Sequence, residues 1–99
     1  MAIPTQIPVT RQSRPKLAVK TRLRRDRHDG PVLLLSPERG LILNDSSREV
    51  LALCTGEASV ATIIELLCAR HPDGSADTIA RDVLALFSDL QSRGLIEVA

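Results

Sequence analysis

GLILNDSSREVLALCTGEASVATIIELL, Gly40 to Leu67, decides how this chain folds. It places a short apolar strand, an asparagine, an amphipathic helix, a glycine and a second helix in one run. Ser46-x-x-Glu49 has the spacing of a capping box, with Ser46 as N-cap and Glu49 reaching back; Asn44 is the competing cap. Val50, Leu51, Leu53 and Cys54 form the buried stripe of helix one. Gly56 suits a left-handed stop after it. Ser59 can cap helix two, where Val60, Ile63, Ile64, Leu67 and Cys68 recur at helical spacing. No group in the stretch looks reactive, so it reads as a folding and docking unit.

Upstream, Lys16 to Arg24 alternates strictly. Leu17, Val19, Thr21 and Leu23 share one face, and Lys16, Ala18, Lys20, Arg22 and Arg24 the other. Period two means a half-buried strand with a basic outer face. Asp26 to Gly30 is a turn, since Asp-Gly is a strong hairpin signal. Val32 to Leu35 is a second strand. Pro37 and Gly40 stand where a tight turn wants them, and Leu41-Ile42-Leu43 returns as a third. Downstream, Ser75 or Asp77 opens helix three, whose stripe is Ile79, Val83, Leu86, Phe87 and Leu90. Gly94 stops it, and residues 95–98 form an extended tail. The expected fold class is α+β: a three-stranded antiparallel sheet followed by three helices, winged helix-turn-helix-like, with the helices on one face of the sheet. Residues 1–15 carry Pro4, Pro8 and Pro15 and read as a flexible proline-rich arm. Residues 16–99 read as a single domain.

Composition narrows the function. Ninety-nine residues allow one domain. There is one Phe and no Trp or Tyr, so the stacking platforms used for single-stranded nucleic acid are missing. Residues 1–27 hold eight basic groups against one acid, a net of +7; residues 28–99 hold five against eleven, a net of −6. That asymmetry points to an acidic partner for the N-terminal third, to a basic segment lying on its own acidic body, or to a solvated face. The longest wholly apolar runs, Val50 to Cys54 and Val83 to Phe87, are five residues each, far below the roughly 20 residues of a membrane span. No signal peptide is visible, and the expected location is cytoplasmic.

Catalysis needs a nucleophile, a base or a metal site. His28 lies in a charged turn and His71 precedes a proline; the sequence places no Cys, Ser or Asp beside either. Cys54 and Cys68 are fourteen apart, without metal-ligand spacing, and fall on apolar helix faces. No phosphate-binding glycine motif is present. The chain is expected not to be an enzyme, and no cofactor or metal is expected. A winged-helix DNA-binding regulator is the alternative reading. However, helix three sets Arg81 and Arg93 against Asp77, Asp82 and Asp89, the wrong sign for a polyanion. Peptide binding fits better, because a three-stranded sheet leaves an edge that can accept a further strand beside the wall of helix three.

The motifs Pro37-Glu38, Leu41-x-Leu43-Asn44 and Glu49-Val50-Leu51-x-Leu53-Cys54-x-Gly56, with Arg22-Leu23, Val32-Leu33-Leu34, Asp82-Val83 and Gly94-Leu95, resemble the pyrroloquinoline quinone biosynthesis protein D family, PqqD. The resemblance spans about residues 15–96. It implies a RiPP recognition element, a winged-helix-like peptide chaperone. Such a protein binds the precursor peptide PqqA and presents it to the radical SAM enzyme PqqE, which cross-links a Glu and a Tyr of that peptide. The iron–sulfur clusters and the SAM would belong to that enzyme. The resemblance also implies a peptide strand beside Leu41, Ile42 and Leu43, lying against Val83, Leu86, Phe87 and Leu90, with Arg81 and Asp82 flanking it. The helix residues are also the expected core stripe, so only some can face a ligand. Many relatives carry Tyr or Phe near the end of helix two, where this chain has Arg70-His71-Pro72. A homodimer through the proline-rich arm is compatible with either function.

Overall fold

A computed structural model describes residues 8–25, 30–37 and 40–99 of the chain. Its elements in order are β1 (Pro15–Leu17), β2 (Arg22–Arg25), β3 (Val32–Leu35), β4 (Gly40–Ile42), α1 (Asp45–Ala52), α2 (Val60–Arg70), α3 (Ala76–Ser92) and β5 (Ile96–Val98). The expected three-stranded antiparallel sheet is β2-β3-β4, and the three helices follow it. His28 and the Asp-Gly turn lie outside the described residues, apart from Gly30.

The alternating segment Lys16–Arg24 is not one strand. The chain turns between β1 and β2, where the Thr21 N–H donates to the Ala18 carbonyl at 2.9 Å. Val19, expected on the buried face, is 88% exposed at that turn. A period-two pattern is indifferent to such a break. What decides it is the tail: β5 pairs antiparallel with β1, Leu17 opposite Ile96 and Pro15 opposite Val98. These two strands form a separate sheet.

Residues 10–15, expected in the arm, lie on the body of the molecule. The carbonyls of Arg11, Ser13 and Pro15 accept the N–H groups of Ala61, Val60 and Gly56 at 2.9, 2.8 and 2.8 Å. The first N–H groups of a helix have no partner within it, and here two of them in α2 are met by this segment. Ser59 Oγ takes a third, from Thr62. Ser13 and Pro15 are buried accordingly.

α1 starts at Asn44, whose Oδ1 accepts the Ser47 N–H at 2.8 Å. The competing cap therefore prevails over Ser46. Glu49 is released from any capping box and turns toward α2. α3 is capped by Ser75, with Asp77 in its first turn. The core joins Leu34 of the sheet to Val50, Leu51 and Cys54, to Val60, Ile63, Ile64 and Leu67, to Ala80, Val83, Phe87 and Leu90, and to Leu95 and Ile96. It is aliphatic except for Cys54 and for Phe87, which is fully buried. The helices cover one face of the sheet, the face of Leu23, Leu34 and Leu41, which sit opposite one another across β2, β3 and β4.

Candidate functional site

Two features converge where β4 runs into α1. The first is a sheet edge. β4 pairs with β3, Leu34 opposite Leu41 and Leu33 opposite Ile42, and no described strand takes its other side. The second is a cleft of about 490 Å³ that opens past the end of β4, between α1, the end of α2 and the first half of α3. Val50, Leu67, Ile79, Val83 and Leu86 give it apolar walls; Asn44, Glu49, His71 and Asp82 give it a polar rim. Such a site can take an extended backbone on the edge and an apolar side chain in the cleft.

The residues implied by the family resemblance divide in four. Asp82, Val83 and Leu86 line the cleft. On β4 and just after it, Leu41 and Leu43 are half-buried, with their side chains packed on the core, while Ile42 is 75% exposed. Phe87 and Leu90 are 0% and 2% exposed, so they support the wall from behind. Arg81 is exposed and stands outside the cleft lining. A helix shows one stripe to the core, and 87 and 90 lie at its centre while 82 and 86 lie at its margin.

The rim holds what sequence reasoning missed. The His71 Nε2–H donates to the Glu49 carboxylate at 2.9 and 3.0 Å to its two oxygens. That nitrogen is the donor because an ionised carboxylate only accepts. The Arg70 guanidinium lies 3.7 Å from the same carboxylate. These contacts tie α1 to the end of α2. No spacing rule joins residues 22 apart, and the capping-box spacing had assigned Glu49 to the start of helix one while His71 had no assigned partner. Ile79 was legible, since it opens the α3 stripe four residues before Val83. Val50 and Leu67 could be assigned only to the core.

The Cys54 thiol is not activated. Burial pushes the Cys54 thiol up from 9.0 to about 12, so it stays protonated at neutral pH. Both cysteines are free. Among the described residues no three His, Cys, Asp or Glu side chains gather as a metal site would require.

The family model described as "Coenzyme PQQ synthesis protein D (PqqD)" matches residues 32–96. The chain is 38% identical to the PqqA binding protein of Rhodopseudomonas palustris strain TIE-1, over 97% of this chain and 93% of that one. It is 39% identical to the PqqA binding protein of strain HaA2, over 94% and 90%. Among solved structures it is similar to the NMR structure of the PqqD truncation of Methylobacterium extorquens PqqCD, a stand-alone RiPP recognition element. The TM-score is 0.69 and the identity 31%, covering 84% of this chain and 87% of that one.

Proposed function

The chain belongs to the PqqD family of coenzyme PQQ synthesis proteins, and from that membership we propose that it is a peptide chaperone that binds the precursor peptide PqqA and presents it to the radical SAM enzyme PqqE. The observation that carries the reading is the unpaired β4 edge leading into an apolar cleft. The peptide adds a strand beside Leu41, Ile42 and Leu43. Its next apolar side chain enters the cleft against Val83 and Leu86, with Asp82 at the rim.

Magnitudes favour the combination over either part. A backbone hydrogen bond adds about 1 kcal/mol net, and β4 is three residues long. Edge pairing alone falls short of the roughly 8 kcal/mol of a micromolar complex. One buried aliphatic side chain adds about 1.5–3 kcal/mol more. The chain contributes no reacting group; the bond-forming chemistry belongs to the partner enzyme, in the cytoplasm. No described helix is long and apolar enough to cross a membrane.

An amide-shift titration of the labelled protein with its cognate precursor peptide tests this. Saturable shifts at Leu41–Asn44 and along Arg81–Leu90 are expected. Silence with peptide, together with shifts at Lys16–Arg25 on adding duplex DNA, would replace the chaperone with a DNA-binding regulator.

A further inference from the structure

The helices and the cleft occupy one face of the β2-β3-β4 sheet; the other face has a composition of its own. Arg22 stands opposite Leu35, and Arg24 opposite Leu33. Directly opposed residues of an antiparallel pair project to the same side. Leu34 and Leu23 point to the core, so Arg22, Arg24, Leu33 and Leu35 point away from it. No described element is layered on that side. The two arginines are exposed, and the two leucines remain only half-buried. At the β1–β2 turn this face continues into a shallow hollow of about 450 Å³, lined by Val19, Lys20, Arg22, Leu35 and Pro37 among others. Val19, at 88% exposure, is the most exposed large apolar side chain described.

The cations here are unspent. The ion pairs among the described residues join Arg48 to Asp45, Arg70 and His71 to Glu49, and Arg93 to Asp89. All involve the helices, their ends or their caps. Lys20, Arg22 and Arg24 take part in none of them. Among the described residues, then, no acidic side chain pairs with these three cations.

We propose that this outer sheet face is a second docking surface, for a protein segment that sets carboxylates around an apolar side chain. The carboxylates meet Lys20, Arg22 and Arg24; the apolar side chain covers Leu33, Leu35 and Val19. A solvated basic face has no use for an apolar floor between its arginines. A nucleic acid would bring phosphates over Leu33 and Leu35 and find no ring to stack on, since the one Phe is buried. Because the face lies across the sheet from the cleft, both can be filled at once.

The test uses the full chain and an end-blocked twelve-residue peptide repeating Glu-Glu-Leu-Glu, with a Gln-for-Glu version as control. Saturable amide shifts are expected at Val19, Lys20, Arg22, Arg24, Leu33 and Leu35, weakening as salt rises. The double variant Arg22→Glu/Arg24→Glu should bind the acidic peptide about tenfold or more weakly. Its melting temperature should be unchanged, since both side chains are exposed. The proposal is overturned by no saturable shift, by shifts confined to β4 and α3, or by equal binding of the Gln control or of the double variant. Tighter binding of a 12-base-pair duplex or of anionic phospholipid vesicles to these same residues also overturns it.

Discussion

Cys54 is held at 4% exposure among aliphatic side chains, and its titration has a readable consequence. Its thiol ionises near 9.0 when unfolded and near 12 when folded. The folded state thus keeps a proton that the unfolded state loses. Stability is fully present below about pH 9 and is lost progressively up to about pH 12, at about 1.4 kcal/mol per pH unit. With no Tyr, and Lys16 and Lys20 as the only lysines, few other groups titrate there. Urea unfolding between pH 8 and 11, values chosen to bracket roughly the lower part of that window, should show this slope. The Cys54→Ala variant should lack it, and a slope that survived the substitution would exclude Cys54 as its source. Iodoacetamide should modify Cys68 first, which is the more exposed thiol.

Two glycines at positive φ allow a finer residue-scale test. Gly94 has φ +73 with nothing within 4 Å of a Cβ built there, whereas Gly56 has φ +87 with the Lys16 stem at 3.3–3.4 Å. Gly94→Ala should therefore cost only the left-handed term, about 1–2 kcal/mol. Gly56→Ala should cost more, because the Lys16 side chain must also give way. Thermal denaturation of the two variants gives the order directly.

At the scale of elements, the start of α1 separates two caps that look alike on paper. Asn44→Ala should cost about 1 kcal/mol. Ser46→Ala should cost little, because Ser46 is exposed and Asn44 already accepts the Ser47 N–H. Equal losses in chemical denaturation would contradict the observed cap. The N-terminal segment is the second case. A deletion through residue 15 removes the three carbonyls that meet Gly56, Val60 and Ala61, plus the first residue of β1. Losing an acceptor to a buried N–H costs about 1–3 kcal/mol each where water cannot replace it, so this truncation should melt well below the full chain. A deletion stopping at residue 7 leaves every one of those acceptors in place and should melt well above the longer truncation.

Across the whole molecule, charge and hydrophobicity are sorted by face. The helical side carries most of the acids and the cleft; the outer sheet face carries β2's arginines over a leucine floor. Ile42 lies on the edge strand, three-quarters exposed, and its environment would change when a strand is added to β4. Ile42→Thr should leave stability within about 0.5 kcal/mol while weakening precursor peptide binding about fivefold, near 1 kcal/mol. Calorimetric titration checks the second figure, and a melting curve the first.

The sequence by itself determined what depends on local periodicity and local chemistry. The three helices follow from apolar stripes at 3.6-residue spacing, the stop of α3 from Gly94, and two of their caps from Ser59 and Ser75; α1 stops earlier than Gly56 suggested, at Ala52 with Leu53 as its C-cap. The sheet follows from one alternating basic strand and two apolar strands separated by turn residues. The family was legible too, because its motifs are short contiguous runs around Leu41–Gly56. Tertiary structure alone decided what depends on distant groups meeting. It broke the alternating segment into β1 and β2, because β5 returns from the far end of the chain to pair with β1. It turned residues 10–15 from an arm into the cap of α2, and gave Glu49 to His71. It also sorted the α3 stripe, sending Phe87 and Leu90 into the core and leaving Asp82 and Leu86 at the cleft. A stripe read from sequence says that a face is apolar, and only packing says which part of that face another element has already covered.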